Sequence, residues 1–185
     1  MNNLVQFNNE MVQQFSAQGK DILTGRGSGL NGLAIIGLAP SEDDFAAEKV
    51  FSGAPGALLE KMLASVDLSL DECYATYIVP YLPQNSSIPT PIDMIHCFSW
   101  LEGQLALLKP KMLLTLGDQV TRMFLFQSIS LEGMRGKFYP WNGTQVRPIF
   151  DLQTLLTNDS KQKDGPKYLT WQDLIEVKQA LERVQ

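Results

Sequence analysis

Side chains that commonly bind metals or act as nucleophiles are scarce in this chain of 185 residues. It contains two cysteines, Cys73 and Cys97, and one histidine, His96. Two cysteines alone cannot hold a zinc or iron–sulfur centre, and they cannot build a disulfide scaffold. His96 falls in the middle of a predicted helix, where a structural or surface histidine is commoner than a catalytic one. The composition therefore predicts no metal site.

Carboxylates are the other groups with catalytic potential, because an ionised carboxylate can act as a general base. Glu42, Asp43 and Asp44 are consecutive, and Asp151 stands alone after a predicted strand. A run of three acids more often forms a solvated turn than an active site. The sequence thus offers two candidates, Asp44 and Asp151, and a competing structural explanation for the first.

Four short segments rich in apolar and β-branched residues predict buried strands. They span 33–38, 73–79, 112–117 and 145–150, and the last is the weakest because Pro148 cannot donate to a strand ladder. Helices are predicted over 5–18 and 55–64, from Thr90-Pro91 to Lys109, after Gly117, and from Thr170 onward, with a polar surface loop at 157–167. This alternation predicts an α/β sandwich around a mostly parallel sheet.

Ligand sites in open parallel sheets form at the carboxyl ends of the strands, where the loops converge. The loops concerned are 38–53, 77–90, 117–120 and 150–157. The net charge of −5 gives no general attraction to phosphates. No apolar run approaches the roughly 18–20 residues that a membrane span needs, and the first residues do not look like a secretory signal. We expect a cytoplasmic protein that does not enter a membrane.

Several stretches occur in an order and spacing found in one known family. They are Gly37-Leu-Ala-Pro40, Phe51-Ser-Gly53, Gly56-Ala-Leu-Leu59, Thr76–Pro83, Pro89-Thr-Pro91, Pro110–Gly117, Arg135-Gly136, Pro148–Leu156 and Trp171-Gln-Asp-Leu174. Together they resemble the iron–sulfur uracil-DNA glycosylases over roughly residues 30–183. The resemblance and the strand–helix alternation imply a three-layer α/β/α sandwich with a four-stranded parallel sheet. That domain would span 31–185, after a polar, partly helical extension over 1–30.

The resemblance implies a base-binding pocket that includes Gly37, Ala39, Pro40, Phe51 and Tyr77. In the family an aromatic ring stacks on the base, and Phe51 retains that ring. An asparagine recognises the uracil edge in the family, whereas Tyr77 stands in its place here. Two alternatives stay open for Tyr77, which either lines the pocket or fills it and closes the site.

The catalytic positions depart from the family. Asp44 falls where a second family acid sits and is the candidate for activating water, while Leu38 replaces the first acid. Asp151 occupies the position of a histidine that donates a hydrogen bond to the departing uracil anion. An ionised aspartate repels that anion instead. It is suited to stabilising a sugar cation or to accepting hydrogen bonds from an amino-bearing base.

The family's iron–sulfur cluster needs four cysteines. Here Tyr81 replaces one ligand, Cys73 is off the pattern, and only Cys97 remains. We therefore expect no iron–sulfur cluster and no other cofactor.

Three residues are candidates for contact with DNA. Arg135 could touch a phosphate, and Leu155 and Leu156 lie where the family inserts a wedge into DNA. Two adjacent leucines are equally good core residues, so the structural alternative stays open.

Three hypotheses about function follow. The first is a uracil-DNA-glycosylase-superfamily protein with a degenerate catalytic set, a binding or scaffold protein of DNA repair or replication with little or no uracil excision. Its partners would be single-stranded or uracil-containing DNA, or replication or repair proteins. The second is an active DNA glycosylase for uracil or another deaminated base, using Phe51, Asp44 and Asp151. The third is a protein that binds a small metabolite in the same pocket.

Overall fold

A central sheet with helices on both faces organises the computed structural model, which describes residues 2–83, 88–126, 129–158, 160, 162 and 164–183. The strands are β1 (Leu33–Gly37), β2 (Tyr74–Tyr77), β3 (Met112–Leu116), β4 (Tyr139–Trp141) and β5 (Thr144–Ile149). Their order across the sheet is β2-β1-β3-β5-β4, and every neighbouring pair is parallel except β4 and β5. The predicted α/β fold class is confirmed.

The helices form the two outer layers. They are α1 (Asn2–Ser16), α2 (Glu42–Ala46), α3 (Gly53–Ala64), α4 (Pro91–Leu108), α5 (Asp118–Leu125), α6 (Leu131–Met134), α7 (Leu152–Thr157) and α8 (Pro166–Arg183). Alternate side chains of β1 point to opposite faces: Leu33 and Ile35 join the core with α3, α7 and α8, whereas Ala34 and Ile36 join the core with α1, α4 and α5. None of the described helices is long and apolar enough to cross a membrane.

The sheet of the described residues has one strand more than the four predicted. The additional strand, β4, is a three-residue antiparallel edge strand paired with the first half of β5. Pro148 lies within β5, beyond Val146, the last residue that faces β4. The amide of Gln145 and the carbonyl of Ile149 both point toward β3. Because backbone groups alternate in direction along a strand, the nitrogen of Pro148 points away from β3, to the side where no described strand lies beside it and its missing N–H costs no hydrogen bond.

Local sequence signals placed the long helix α4 correctly. Thr90 and Asp93 form a capping box at its start, and Pro91 occupies the first turn. Helix α8 begins at Pro166, four residues before the predicted start at Thr170, which shortens the predicted surface loop. Residues 84–87 of the predicted 77–90 loop, and residues 159, 161 and 163 of the 157–167 loop, lie outside the described part of the chain.

The N-terminal helix α1 packs against α4. Met11 and Phe15 are buried in the same core cluster as the inner side of α4, and the Phe7 ring lies 5.3 Å from that of Trp100. Gln104 of α4 donates a hydrogen bond of 2.8 Å from Nε2 to Asn8 Oδ1. Helix α1 therefore completes one outer layer of the structure.

A buried ion-pair group fastens α8 to the sheet. Arg147 of β5 is 1% exposed, and its guanidinium donates to Asp173 Oδ1 from Nε at 3.1 Å and from Nη2 at 2.6 Å. Arg135 donates to the other carboxylate oxygen of Asp173 at 2.7 Å, and Glu176 lies 2.8 Å from Arg147 Nη2. One buried carboxylate thus compensates two arginines, with a partly exposed glutamate at the rim.

Replacing Asp173 with alanine should lower the free energy of unfolding by about 3–5 kcal/mol, because it leaves buried Arg147 without its main partner. Urea denaturation followed by circular dichroism measures this change. The matched control is Glu182→Ala on the same helix, whose exposed pair with Lys178 should contribute less than about 1 kcal/mol. Equal losses in the two variants would contradict this account of how α8 is held.

Candidate functional site

A cavity of about 560 Å³ opens at the carboxyl ends of the parallel strands. Its lining comes from the loop after β1, the start of α3, the end of β2, the start of α5 and the start of α7. This volume is typical of pockets that hold small molecules. The cavity lies at the edge of the sheet where the sequence places the functional loops.

Asp44 is buried in the cavity wall, and its carboxylate connects several segments of that wall. Its side chain is only 3% exposed, while Glu42 and Asp43 face solvent, so the acidic run is not a uniformly solvated turn. Oδ2 accepts hydrogen bonds from the amide and the hydroxyl of Ser41, at 2.7 and 2.8 Å, and from the hydroxyl of Tyr77 at 3.1 Å. Oδ1 accepts from the amide of Ser52 at 2.6 Å. Four hydrogen bonds therefore hold this carboxylate in place, three on Oδ2 and one on Oδ1.

Tyr77 links Asp44 to the loop that carries Phe51. The Tyr77 hydroxyl donates to Asp44 Oδ2 and accepts a hydrogen bond of 3.0 Å from the Phe51 amide. Burial raises the pKa of Tyr77 above its ordinary value, and the negative charge of Asp44 raises it further. The phenol therefore stays protonated and keeps its donor role throughout the physiological pH range.

Phe51 and Tyr77 form a packed aromatic pair on the cavity wall. Their ring centroids lie 4.6 Å apart at an interplanar angle of 38°, and Phe51 is 4% exposed. A Cβ at Gly37 would lie 2.7 Å from the Tyr77 ring and 2.9 Å from the Phe51 ring, so the pair requires glycine there. Ala39 lines the cavity and Pro40 is buried beside it. Tyr77 lines the cavity and leaves it open.

Asp151 lines the cavity from the start of α7, where it is the N-cap residue. Its Oδ1 accepts a hydrogen bond of 2.8 Å from the amide of Thr154, and its Oδ2 accepts one of 2.6 Å from the Thr154 hydroxyl. Each oxygen keeps acceptor capacity, since an ionised carboxylate has about four lone-pair sites. The arrangement holds the carboxylate against the cavity and offers acceptors to whatever enters.

Asp118 is a cavity residue that the sequence analysis missed. It opens α5 directly after Gly117, and its Oδ2 accepts a hydrogen bond of 2.6 Å from Arg122 Nε. Oδ1 is enclosed and accepts no hydrogen bond from the described residues. The position of Asp118 in the 117–120 loop after a predicted strand was the signal available in the sequence.

Comparison with known proteins decides the family. Residues 25–175 match the model of the uracil DNA glycosylase superfamily. The chain belongs to that superfamily. It is 30% identical over 129 residues to a type-4 uracil-DNA glycosylase of Saccharolobus solfataricus (66% of this chain, 59% of the relative), and 32% identical over 112 residues to one of Archaeoglobus fulgidus (58% and 56%). It therefore spans less than two thirds of the length of these two relatives.

A third relative is of a different kind. The chain is 26% identical over 141 residues to a DNA polymerase of Bacillus phage SP01, a match that covers 76% of this chain and 15% of the polymerase. The chain thus resembles a short part of this much longer polymerase.

The residues at the position where the resembling glycosylases would hold a cluster make other contacts here. Tyr81 donates a hydrogen bond to Asp93, the Lys20 ammonium lies 3.8 Å from the Tyr81 ring centre, and the Phe15 ring lies 5.7 Å away. Burial raises the pKa of the Cys97 thiol to about 11, whereas a cluster ligand is a thiolate. Cys73 belongs to the core on the opposite face of the sheet. Within the described part of the chain, no three His, Cys, Asp or Glu residues are grouped as a metal site.

The three residues predicted to contact DNA lie in different environments. Leu155 is fully buried in the core against α8, so its predicted role as a DNA wedge is wrong. The Arg135 guanidinium is engaged by Asp173 and by the carbonyl of Leu169 at 3.0 Å, which takes it away from a phosphate contact. Leu156 is half-buried on α7, and its contact with DNA stays a prediction.

Replacing Tyr77 with phenylalanine should lower the free energy of unfolding by about 1–3 kcal/mol, because the buried Phe51 amide and Asp44 both lose a partner. Chemical denaturation of the variant measures the loss. Tyr168→Phe is the matched control, since its hydroxyl only accepts a 3.3 Å hydrogen bond from exposed Gln172. A Tyr77 variant no less stable than the control would contradict the bridging role.

Both thiols should react very slowly in the native protein, because burial raises the pKa of Cys73 and of Cys97 to about 11. At pH 8 about one thiol in a thousand is then ionised. Reaction with 5,5′-dithiobis(2-nitrobenzoate) should be slow in buffer and fast, with two thiols released, in guanidinium chloride. Rapid native labelling of either residue would show that its burial is not maintained.

Proposed function

We propose that this superfamily member is a binding or scaffold protein of DNA repair or replication, with little or no uracil excision. The observation that supports this most directly is that the carboxylates at the catalytic positions are held in structural hydrogen bonds. Asp44 joins three segments of the cavity wall, and Asp151 caps α7. The residues that would perform excision are thus engaged in building the site.

Water activation is the first step that this arrangement disfavours. A general base must present a free lone pair to a water molecule near the sugar. Asp44 already accepts four hydrogen bonds, three on Oδ2 and one on Oδ1, so only Oδ1 keeps acceptor capacity. The residue is 3% exposed, which leaves little access for a water molecule to that oxygen.

Departure of uracil is the second step. Cleavage of the glycosidic bond leaves negative charge on the base, which hydrogen-bond donors must stabilise. Asp151 stands where the resembling glycosylases have a histidine, and its carboxylate carries no donor when ionised. Asp118 adds a further acidic group to the same wall. The cavity would raise the energy of a uracil anion instead of lowering it.

The choice of repair or replication rests on the relatives. Of the three relatives described above, two carry the name of uracil-DNA glycosylases and one that of a DNA polymerase. The net charge of −5 favours contacts with a basic protein surface over broad contact with DNA phosphates. We also propose that the protein holds no iron–sulfur cluster, because Lys20 and Phe15 pack against Tyr81 at the position expected for it.

Single-turnover reactions with protein in excess test this proposal. The substrates are single-stranded oligonucleotides that carry uracil, hypoxanthine or xanthine, with a type-4 uracil-DNA glycosylase as the positive control. We expect no cleavage after alkali treatment under conditions in which the control removes all uracil. The same labelled strands, followed by fluorescence anisotropy, report whether a complex forms.

Asp151→Ala is the matched variant for this assay. Cleavage that is present in the natural chain and lost in Asp151→Ala would overturn the proposal and establish a glycosylase with altered chemistry, the second hypothesis from the sequence. Cleavage equal in both would assign the activity to other groups and would equally overturn it. Absence of both cleavage and complex would restrict the function to protein binding.

A further inference from the structure

We propose that the cavity binds a positively charged nucleobase, an N-alkylated purine, in preference to uracil. This inference rests on the proposed function, because it takes the cavity as a base-binding site, and it adds the class of base. It is carried by three properties of the cavity wall: its charge, its aromatic pair and its unused hydrogen-bond acceptors.

Every charged residue described in the cavity wall is acidic. Three of the lining residues are aspartates, Asp44, Asp118 and Asp151, and none of the described lining residues is lysine, arginine or histidine. Arg122 compensates Asp118 in part, through the 2.6 Å contact to Oδ2. Arg26, which acts on Tyr77 from a distance, pairs with Glu60 outside the lining. A cation entering this partly enclosed space gains attraction that bulk water would screen.

The aromatic pair suits a flat cation. Phe51 and Tyr77 form one side of the cavity with their rings 4.6 Å apart. A cation near an aromatic face is attracted by the ring quadrupole, and the attraction grows when water is excluded. Apolar neighbours such as Leu38 and Leu152 complete a wall that favours a ring over a hydrated ion.

The unused hydrogen-bond acceptors of the cavity wall determine which polar groups a ligand must carry. Asp151 uses one acceptor position on each oxygen, so each oxygen can accept a further hydrogen bond from a ligand. Asp118 Oδ1 is enclosed and accepts no hydrogen bond from the described residues, so Asp118 contributes its charge to the wall and not a second accessible acceptor. The amino group of a purine offers a pair of N–H donors, whereas uracil offers a single N3–H between two carbonyls. A cationic purine satisfies the charge and the acceptors together.

Calorimetric titration of the full chain with nucleosides tests the inference. The probes are 1-methyladenosine, whose ring is cationic near neutral pH, neutral adenosine and neutral uridine. We expect 1-methyladenosine to bind about tenfold more tightly than adenosine, and uridine to bind least. N-acetylarginine amide serves as a flexible cation of the kind a peptide partner would present.

Variants that each remove one negative charge identify the residues responsible for the preference for 1-methyladenosine. Asp151→Asn and Asp118→Asn should each weaken 1-methyladenosine binding about three- to tenfold and should reduce its preference over adenosine, because each removes a negative charge that only the cation exploits. The control is Asp67→Asn, an exposed aspartate outside the cavity that lies in the left-handed region, which asparagine tolerates. Circular dichroism melting of each variant separates lost binding from lost folding.

The inference is overturned if uridine or adenosine binds as tightly as 1-methyladenosine, if the two cavity variants behave like Asp67→Asn, or if no nucleoside binds. Preference for the arginine derivative over 1-methyladenosine would also overturn it, in favour of a peptide cation. These outcomes are distinct from failure of the proposed function. Loss of nucleoside preference without uracil excision leaves the binding role standing, whereas excision of uracil removes it.

Discussion

The carboxylate of Asp44 is the interaction on which the site depends. A buried charge is costly unless hydrogen bonds replace its lost hydration. The four donors that do so come from Ser41 at the start of α2, Ser52 before α3, and Tyr77 at the end of β2. Two parts of the connection between β1 and α3, together with the end of β2, are therefore tied to one point. This tie fixes the position of the cavity wall and commits the carboxylate to structural hydrogen bonds.

Local signals in the sequence predicted the elements whose cause is local. The residues that determine the start of α4 and the strands β1 and β3 lie within those elements, as a capping box at Thr90 and as two apolar runs, and the structure confirms them. Strand β4 was missed because it has three residues with Pro140 at its centre, and only pairing with β5 makes it a strand. The early start of α8 was missed because Pro166, a favoured first-turn residue, follows a polar stretch typical of a loop.

The features of the site also divide into those that the local sequence predicted and those that it did not. The strand ends predicted where the cavity would form, because parallel topology brings those ends together. The environment of single residues was not predictable, since it depends on partners far along the chain. Asp44 meets Tyr77 across 33 residues, and Arg135 meets Asp173 across 38. The neighbours Leu155 and Leu156 have the same side chain, and only the packing of α7 against the core decides which one is buried.

Tyr77, which departs from the resembling glycosylases, connects Phe51 and Asp44, two residues that keep the family's residue types. A tyrosine at the asparagine position brings a ring and a hydroxyl that both need partners in a buried place. The ring packs on Phe51 and the hydroxyl donates a hydrogen bond to Asp44. Tyr77, Phe51 and the candidate general base Asp44 therefore form one connected unit. Restoring the family's asparagine at position 77 would remove the ring contact of Phe51 and the hydroxyl bond to Asp44 together. Any ligand that stacks on Phe51 must therefore either accept Tyr77 as part of its binding surface or displace it together with its bond to Asp44.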